Sequence, residues 1–321
     1  MSLPSPTASP AAPPLRLSVV ICCYTADRIE QVRAAIDSTV PQLNDIDELI
    51  VVVDHNDDLH AALHSSVVGA RIVRSTEDRG LSGARNTGVA TATGDVVVFL
   101  DDDATLDDDA LRSVRSRFAD PQIVGIGGAV TPAWQGGRSP DWFPSEFGWV
   151  VGCDYRGLPD DGAEIRNPIG AAMAVRREAL DTIGGFSPHL GRRGTFPAGC
   201  EETLMGIALR QSFPDTSIVR DTSFRVSHHV SDERTSVRYY LHRCFQEGRS
   251  KAMLAALTST GSALSSEKSY AAKILTSGVW RHRRAPARAL ALIFGFVFTT
   301  AGFVTGTVTN RLAAHREDRP Q

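Results

Sequence analysis

"DVVVFLDDDA", residues 95–104, joins an apolar run directly to three successive aspartates. The run at 96–100 has the composition of a strand that is buried on both faces of a sheet. Neighbouring carboxylates repel one another, so a buried strand that ends in Asp101, Asp102 and Asp103 indicates that a cation is bound there. If the strand continues through the triplet, Asp101 and Asp103 share one face, while Asp102 turns away toward structure or solvent.

Similar apolar runs precede this one along the chain, with helical patterns between them. The runs are "LRLSVVICC" at 15–23, "DELIVVV" at 47–53 and a short one at 70–73. Apolar residues at helical spacing occupy 29–40 and the latter part of 79–94. Strands that alternate with helices in this way predict an α/β domain with a mainly parallel sheet flanked by helices.

Polar side chains follow three of these strands at the point where each strand ends. Tyr24 and Arg28 follow the first strand, Asp54 follows the second, and the aspartate triplet follows the fourth. Ligands of open α/β sheets bind beyond the carboxyl ends of the strands. We therefore expect these residues to form one ligand site.

Composition excludes several classes of function. The chain has 321 residues, enough for one large domain or two small ones, and its net charge of −3 provides no basic field for nucleic acid. Its five cysteines are odd in number and lack CxxC spacing, which indicates a reduced, cytosolic setting. The glycines at 80, 83 and 88 match neither GxGxxG nor a Walker A loop, which disfavours oxidoreductases and NTPases.

Five segments in chain order resemble the family 2 glycosyltransferases, which have the GT-A fold. They are "VVVDHND" at 51–57, "RGLSGARNTG" at 79–88, "FLDDDA" at 99–104, "IGGFSPHLG" at 183–191 and "CEETLMGIAL" at 200–209. The triplet alone is weak because acidic triplets are common in loops, but the ordered set is specific. The resemblance covers residues 15–250. It implies transfer of a sugar from a nucleoside diphosphate sugar to a hydroxyl acceptor, usually with inversion, and Mg²⁺ or Mn²⁺ as the cofactor.

The resemblance also implies roles for the strand-end residues. Asp54 would hold the base or ribose, and Arg85 and Asn86 would border the nucleotide pocket. Asp101 and Asp103 would be the ends of a DxD motif, with Asp103 nearest the divalent metal. The expected nucleotide-binding set is Tyr24, Arg28, Asp54, Arg85, Asn86, Asp101 and Asp102.

The catalytic base is expected from the acidic pair at 201–202. Glu202 aligns with the family's base, but this chain has glutamate where aspartate is usual, so Glu201 stays a candidate. A carboxylate is sufficient, because the acceptor hydroxyl becomes acidic only as the new bond forms. Adjacent residues cannot share a helix face, so one glutamate is expected to reach the acceptor while the other ties down a loop.

A histidine is expected to complete the metal site. His229 fits the family pattern slightly better than His228, so the predicted ligands are Asp103, Asp101 and His229. Nearby cations that would meet the diphosphate, or else form a solvated helix face, are Arg234, Arg238 and Arg243. Aromatic residues that would stack on an acceptor sugar, or else pack in the core, are Trp142, Phe143, Trp149 and Tyr155.

The two ends of the chain differ from the rest. Residues 1–14 are proline-rich and predict a disordered tail rather than a signal peptide. Residues 289–310 carry no charge and follow basic residues at 281–288, which predicts membrane contact through 281–310, either spanning or in plane. Together with "RYYLHRCFQEGRSKA" at 238–252, this segment resembles a membrane-associated bacterial branch of the family. We therefore expect the chain at the cytoplasmic face of the cell membrane.

These observations predict three domains and leave three functions open. The domains are the tail at 1–14, a GT-A domain at 15–250 with a nucleotide-binding half (15–120) and an acceptor half (121–250), and a helical region at 251–321. The leading function is a metal-dependent, inverting glycosyltransferase acting on a glycan, lipid-linked or small-molecule acceptor. The alternatives are a nucleotidyltransferase, disfavoured because Arg28 is the single cation after the first strand, and a non-catalytic nucleotide- or glycan-binding scaffold.

Overall fold

The computed structural model describes residues 14–192, 199–258 and 278–317, and the proline-rich tail lies almost wholly outside them. Its centre is one eight-stranded sheet with the order β3-β2-β1-β4-β7-β6-β8-β5. The strands are β1 (Leu17–Cys23), β2 (Glu48–Val53), β3 (Arg71–Arg74), β4 (Val96–Asp101), β5 (Ala104–Leu106), β6 (Ile123–Trp134), β7 (Ala172–Arg176) and β8 (Ser217–Val230). The helices are α1 (Ile29–Thr39), α2 (Asp57–Ser66), α3 (Leu81–Thr91), α4 (Ala110–Phe118), α5 (Arg177–Ile183), α6 (Glu201–Ser212), α7 (Val237–Thr258) and α8 (Pro286–Glu317).

The predicted parallel sheet is present in the first half of the domain, and the sheet as a whole is mixed. β3, β2, β1 and β4 are parallel neighbours. β7 then pairs antiparallel with both β4 and β6, whereas β6 and β8 are parallel. A buried apolar run looks the same in either direction, so the sequence pattern did not distinguish these orientations.

Side chains of the central strands alternate between two cores, one on each face of the sheet. Val19, Val51 and Val98 pack on the face that α1 covers. Val20 and Phe99 pack on the face covered by α3, α5 and α6. Full burial of such side chains stabilises the fold by about 1.5–3 kcal/mol each, which holds the carboxyl ends of β1, β2 and β4 in fixed register.

The aspartate triplet does not continue β4 as a strand. β4 ends at Asp101, a tight turn holds the next two residues, and β5 begins at Ala104. Asp102 and Asp103 are both buried, with 5% and 7% of their surface exposed. A turn therefore replaces the alternation expected for a continued strand, and the side chains of Asp102 and Asp103 both reach Arg28.

Helices α7 and α8 run side by side in the same direction, and α7 passes through residue 250, where the sequence placed a domain boundary. The Tyr240 hydroxyl donates to the carbonyl of Ala291 at 2.9 Å. Farther along, a Cβ at Gly302 would lie 1.9 Å from the Phe245 carbonyl oxygen, so glycine permits this close contact between backbones. α8 is therefore packed against α7 from Ala291 to Gly306.

Candidate active site

A cavity of about 920 Å³ opens at the carboxyl ends of β1, β2 and β4 and extends between α6, α7 and α8. It brings most of the predicted site residues together. Those that line it are Tyr24, Arg28, Asp54, Arg85, Asp101, Asp102, Asp103, Glu201 and Glu202. The predicted residues Asn86 and His229 are not among its described lining residues.

Asp54 lies directly after β2 and is held at the start of α3. Its Oδ2 accepts from the Gly80 N–H at 3.0 Å, and its Oδ1 lies 2.7 Å from the ring nitrogen Nδ1 of His55. Gly80 adopts φ +133°, a conformation that favours glycine, and this brings its N–H to the carboxylate. The arrangement fixes Asp54 at the cavity wall.

Arg28 joins the strand exit of β1 to the aspartate turn. Its Nη1 lies 2.9 Å from Asp102 Oδ1 and 3.2 Å from Asp103 Oδ2. The second carboxylate oxygen of Asp102 is buried without a hydrogen-bond partner among the described residues. Burial, and next the charge of Asp103, raises the pKa of Asp102 to about 7, so this group takes up a proton far more readily than an ordinary aspartate.

Asp103 is the most heavily contacted member of the triplet. Its Oδ1 lies 3.0 Å from His228 Nε2, and the Arg234 guanidinium donates to its Oδ2 at 3.1 Å. Burial alone would raise the pKa of Asp103, but His228 and the neighbouring arginines hold it well below its usual range. Asp103 is therefore a carboxylate anion in the folded protein.

The histidine beside the triplet is His228, whereas the sequence favoured His229 over His228 as the metal ligand. β8 turns alternate side chains to opposite faces, and His228 is buried opposite Ala104. The side chain of His229 turns away, and only its backbone N–H meets the triplet, donating to the Asp103 carbonyl at 2.7 Å. Although burial by itself lowers it, Asp103 raises the pKa of His228 to about 10.

Asp101, Asp103 and His228 form a set of ligand atoms suited to a cation. One ligand atom from each residue lies within 4.8 Å of the other two. That separation allows three protein ligands around a single ion. The two carboxylates suit Mn²⁺ or Mg²⁺, and His228, whose pKa is raised, would release its proton on ligating the ion. The residues present therefore fit the divalent cation that the sequence implied.

Arg85 connects the triplet to the acidic pair of α6. This arginine is 2% exposed, and its Nη1 lies 3.2 Å from both Glu201 Oε1 and Glu202 Oε1. Its Nη2 lies 3.6 Å from Asp101 Oδ1. Gly170 makes this packing possible, because a Cβ there would come within 2.1 Å of Glu202 Oε1. No sequence signal marked Gly170, since the constraint comes from residues distant in the chain.

The two glutamates differ in their access to the cavity. The Glu201 side chain is 4% exposed, and the Glu202 side chain is 17% exposed. Burial, and next the charge of Glu202, raises the pKa of Glu201 to about 8, so Glu201 takes up a proton more readily than an ordinary glutamate. Glu202 is therefore the carboxylate that is better placed to meet a substrate.

Two further expectations meet different outcomes. The Asn86 side-chain amide donates to the Phe186 carbonyl at 2.8 Å and accepts from the Phe186 N–H at 2.7 Å. Asn86 thus holds the turn at Gly184 and Gly185 by two hydrogen bonds, and it does not line the cavity. Of the four aromatic candidates, Trp149 and Tyr155 line the cavity, whereas Trp142 and Phe143 pack edge-to-face in an aromatic cluster with Tyr240.

The sequence model of glycosyl transferase family 2 matches residues 18–184 of this chain. Glucosyl-dolichyl phosphate glucuronosyltransferase of Haloferax volcanii is 30% identical over 244 residues, which are 75% of this chain and 77% of that protein. Dolichol-phosphate mannosyltransferase of Pyrococcus furiosus is 25% identical over 185 residues, 53% of this chain and 48% of that protein.

Two solved structures share the fold. Mannosyltransferase PcManGT from Pyrobaculum calidifontis, in complex with GDP-Man and Mn²⁺, aligns with a TM-score of 0.56 and 17% identity over 90% of this chain and 86% of its own. GalNAc-T7 with UDP, GalNAc and Mn²⁺ aligns with a TM-score of 0.52 and 15% identity over 81% of this chain and 54% of its own. The sheet and the site at its strand ends therefore define a GT-A-type protein.

The chain belongs to the family 2 glycosyltransferases, and it is a glycosyltransferase. This membership supports a glycosyltransferase over the nucleotidyltransferase and the non-catalytic scaffold.

Proposed function

We propose that this protein is a metal-dependent, inverting glycosyltransferase that moves a sugar from a nucleoside diphosphate sugar to a hydroxyl group of a membrane-borne acceptor. The observation that carries the proposal is the pairing of two kinds of group in one cavity. A cation-ligand set of Asp101, Asp103 and His228 lies at one part of the wall, and the Glu202 carboxylate lies at another, with Arg85 between them.

The chain's own residues supply binding, charge and a base. Asp54 and Tyr24 border the space for the nucleoside, and Asp101, Asp103 and His228 would hold the cation. When bound, the cation would neutralise charge on the diphosphate as it leaves. Arg28 and Arg234 add positive charge at the same place.

Glu202 then acts as the general base of a single displacement. The acceptor oxygen forms a bond to the anomeric carbon, and the bond from that carbon to the diphosphate oxygen breaks. The hydroxyl proton passes to Glu202, and the leaving nucleoside diphosphate keeps the electron pair. Attack on the face opposite the leaving group inverts the anomeric centre.

Thermal unfolding with nucleotides and Mn²⁺ tests the donor and metal assignments. We expect UDP or GDP to raise the melting temperature when Mn²⁺ is present and much less when EDTA replaces it. A ligand at roughly 100 times its Kd adds about 2.7 kcal/mol to the free energy of unfolding. Equal stabilisation with and without metal would contradict the metal dependence, and no stabilisation by either nucleotide would contradict the donor class.

The C-terminal helix supports the membrane part of the proposal. Residues Pro286–Leu312 are long and apolar enough to cross a bilayer, and the most apolar 18-residue window within them has a mean hydropathy of 1.9. One face of α8 packs on the domain, and the opposite face exposes an apolar stripe at helical spacing, beside the exposed Arg283 and Arg284. The stripe consists of Leu290, Ile293, Phe294, Val297, Val304, Val308 and Leu312.

The packing of α7 favours an in-plane position over a crossing. α8 contacts α7 from Ala291 to Gly306, and α7 carries Arg243, Glu247 and Lys251 along that length. If α8 crossed the bilayer, α7 would enter the hydrocarbon with it, together with its charged residues. That costs about 2.5–3.5 kcal/mol for a lysine or arginine at the bilayer centre. An in-plane helix buries the stripe in lipid, and cytosolic nucleotide sugars place the domain at the cytoplasmic face.

We expect the double variant Val297→Glu/Val304→Glu to detach the full chain from anionic phosphatidylglycerol vesicles in flotation. Each buried aliphatic side chain is worth about 1.5–3 kcal/mol, so vesicle partitioning should fall more than about tenfold. Val68→Glu is the matched control, because Val68 is 89% exposed on another part of the surface. Unchanged flotation of the double variant would contradict the lipid contact. Sedimentation that shows a dimer whose second copy covers the stripe would also contradict it.

A further inference from the structure

Cys153 contacts the ring nitrogen of His228 that does not face the aspartate turn. Its sulfur lies 3.5 Å from His228 Nδ1, whereas Nε2 of the same ring lies 3.0 Å from Asp103 Oδ1. Both side chains are buried, with 0% of Cys153 and 2% of His228 exposed, so solvent does not compete for these contacts. The two nitrogens of the imidazole therefore have different partners within the protein.

A second contact of the Cys153 sulfur sets the direction of its hydrogen bond to the ring. Sγ also lies 3.6 Å from the backbone carbonyl oxygen of Val151, which can only accept. A thiol carries one proton, so when it donates that proton to the carbonyl, its sulfur can only accept from the His228 Nδ1–H. The partners thus assign a proton to Nδ1 and leave Nε2 as the nitrogen that is available to a cation.

The backbone on both sides of Cys153 is fixed against the sheet. Gly152 has φ +77°, and a Cβ there would lie 3.3 Å from His228 Cε1, so glycine lets the backbone pass close against the ring. The Asp154 N–H donates to the Val130 carbonyl at 2.9 Å, and Asp154 Oδ1 accepts from the Val130 N–H at 3.1 Å. Cys153 is therefore tied to β6, which pairs with the strand β8 that carries His228.

On the basis of the proposed function, we propose that Cys153 is a positioning residue of the cation site. Its sulfur accepts from the His228 Nδ1–H and so directs Nε2 toward the cation that Asp101 and Asp103 would share. Cys153 is not among the described residues that line the cavity, so it acts through His228. Partners of this kind change metal affinity about 10–100-fold, and a thiol sulfur is a weak acceptor, so we expect the lower end of that range.

A cysteine that served only to fill space would respond to substitution differently. A buried thiol packs as a small apolar group, so alanine would then be tolerated at least as well as serine, whose hydroxyl costs free energy in apolar surroundings. For a positioning residue the order is reversed. A serine hydroxyl can accept from His228 Nδ1–H and donate to the Val151 carbonyl, whereas alanine can do neither. Serine and alanine are both smaller than cysteine, so their comparison isolates the polar atom.

Titration of the full chain with Mn²⁺, followed by electron paramagnetic resonance with UDP or GDP present, tests the inference. We expect Cys153→Ala to weaken Mn²⁺ binding about tenfold and Cys153→Ser to stay within about twofold of the wild type. Cys153→Val, which keeps the bulk of the side chain without a hydrogen-bonding atom, should behave like the alanine variant and replaces it if alanine prevents folding. Cys244→Ala is the matched control, because Cys244 is a fully buried thiol of α7 outside the described lining of the cavity.

Two results would overturn the role of Cys153 while the metal assignment stands. They are equal Mn²⁺ affinity of the wild type and Cys153→Ala, and a serine variant that binds Mn²⁺ no better than the alanine variant. Failure of the proposed function is seen separately, in the wild type. A wild-type chain that binds no Mn²⁺ with either nucleotide loses the metal assignment, and the inference with it, before any variant is compared.

Discussion

The variant Asp103→Ala is expected to lose at least about 10³-fold in transfer rate, because about 4 kcal/mol of charge stabilisation disappears with its cation-ligand set. Asp103 contributes one ligand atom to that set and also contacts His228, Arg28 and Arg234. The variant should also lose the extra thermal stabilisation that Mn²⁺ gives with UDP or GDP. Transfer assays and melting curves on the same preparation measure both effects.

Asp102→Asn is the matched control for this result. The pKa of Asp102 is raised to about 7, so asparagine imitates the protonated form of the side chain and can still accept from Arg28. We expect a much smaller loss of rate and unchanged metal-dependent stabilisation. Full activity of Asp103→Ala with metal still required would refute the ligand assignment. Asp103→Asn, which preserves side-chain volume, separates loss of the ligand from loss of folding.

The variant Glu202→Gln is expected to lower the turnover rate about 10²–10⁴-fold, the range typical for removal of a general base. Glutamine keeps the size of the side chain and can still accept a hydrogen bond from Arg85, but it cannot take the acceptor proton. Stabilisation by nucleotide and Mn²⁺ should persist, since Glu202 lies outside the cation-ligand set. A loss of kcat without a loss of nucleotide binding would therefore be the signature of the base.

Glu201→Gln provides the comparison on the adjacent residue. Because the pKa of Glu201 is raised to about 8, glutamine is close to the protonated form that this buried side chain takes up readily. We expect near-normal turnover in assays at pH 7. The opposite pattern, a severe defect in Glu201→Gln with normal turnover in Glu202→Gln, would show that the roles within the pair are reversed.

Much of the site was predictable because its parts lie at the ends of regular elements. The apolar runs before Asp54 and Asp101 predicted two buried parallel strands, and parallel strands bring their carboxyl ends to one edge. The glutamates at the start of α6 were recognisable as a helix beginning with acids. These signals are local, so they do not require knowledge of which elements are neighbours.

Other features depend on pairings between distant parts of the chain. The orientation of β7 and the choice of His228 over His229 follow from strand register, since a shift of one residue would exchange the two histidine faces. The contact of Arg234 with Asp103 joins residues 131 positions apart. The spacing of residues within either segment carried no signal for that contact.

The amino-acid sequence by itself therefore determined the α/β core, the acidic strand exit and the acidic helix start, because apolar periodicity and local charge specify elements and their ends. Only the folded structure shows that Asn86 holds a turn, that Glu202 is more exposed in the cavity than Glu201, and that α8 forms a wall of the same cavity. The physical reason is that burial and side-chain partners are properties of packed neighbours. Those neighbours are brought together by folding rather than by their order in the chain.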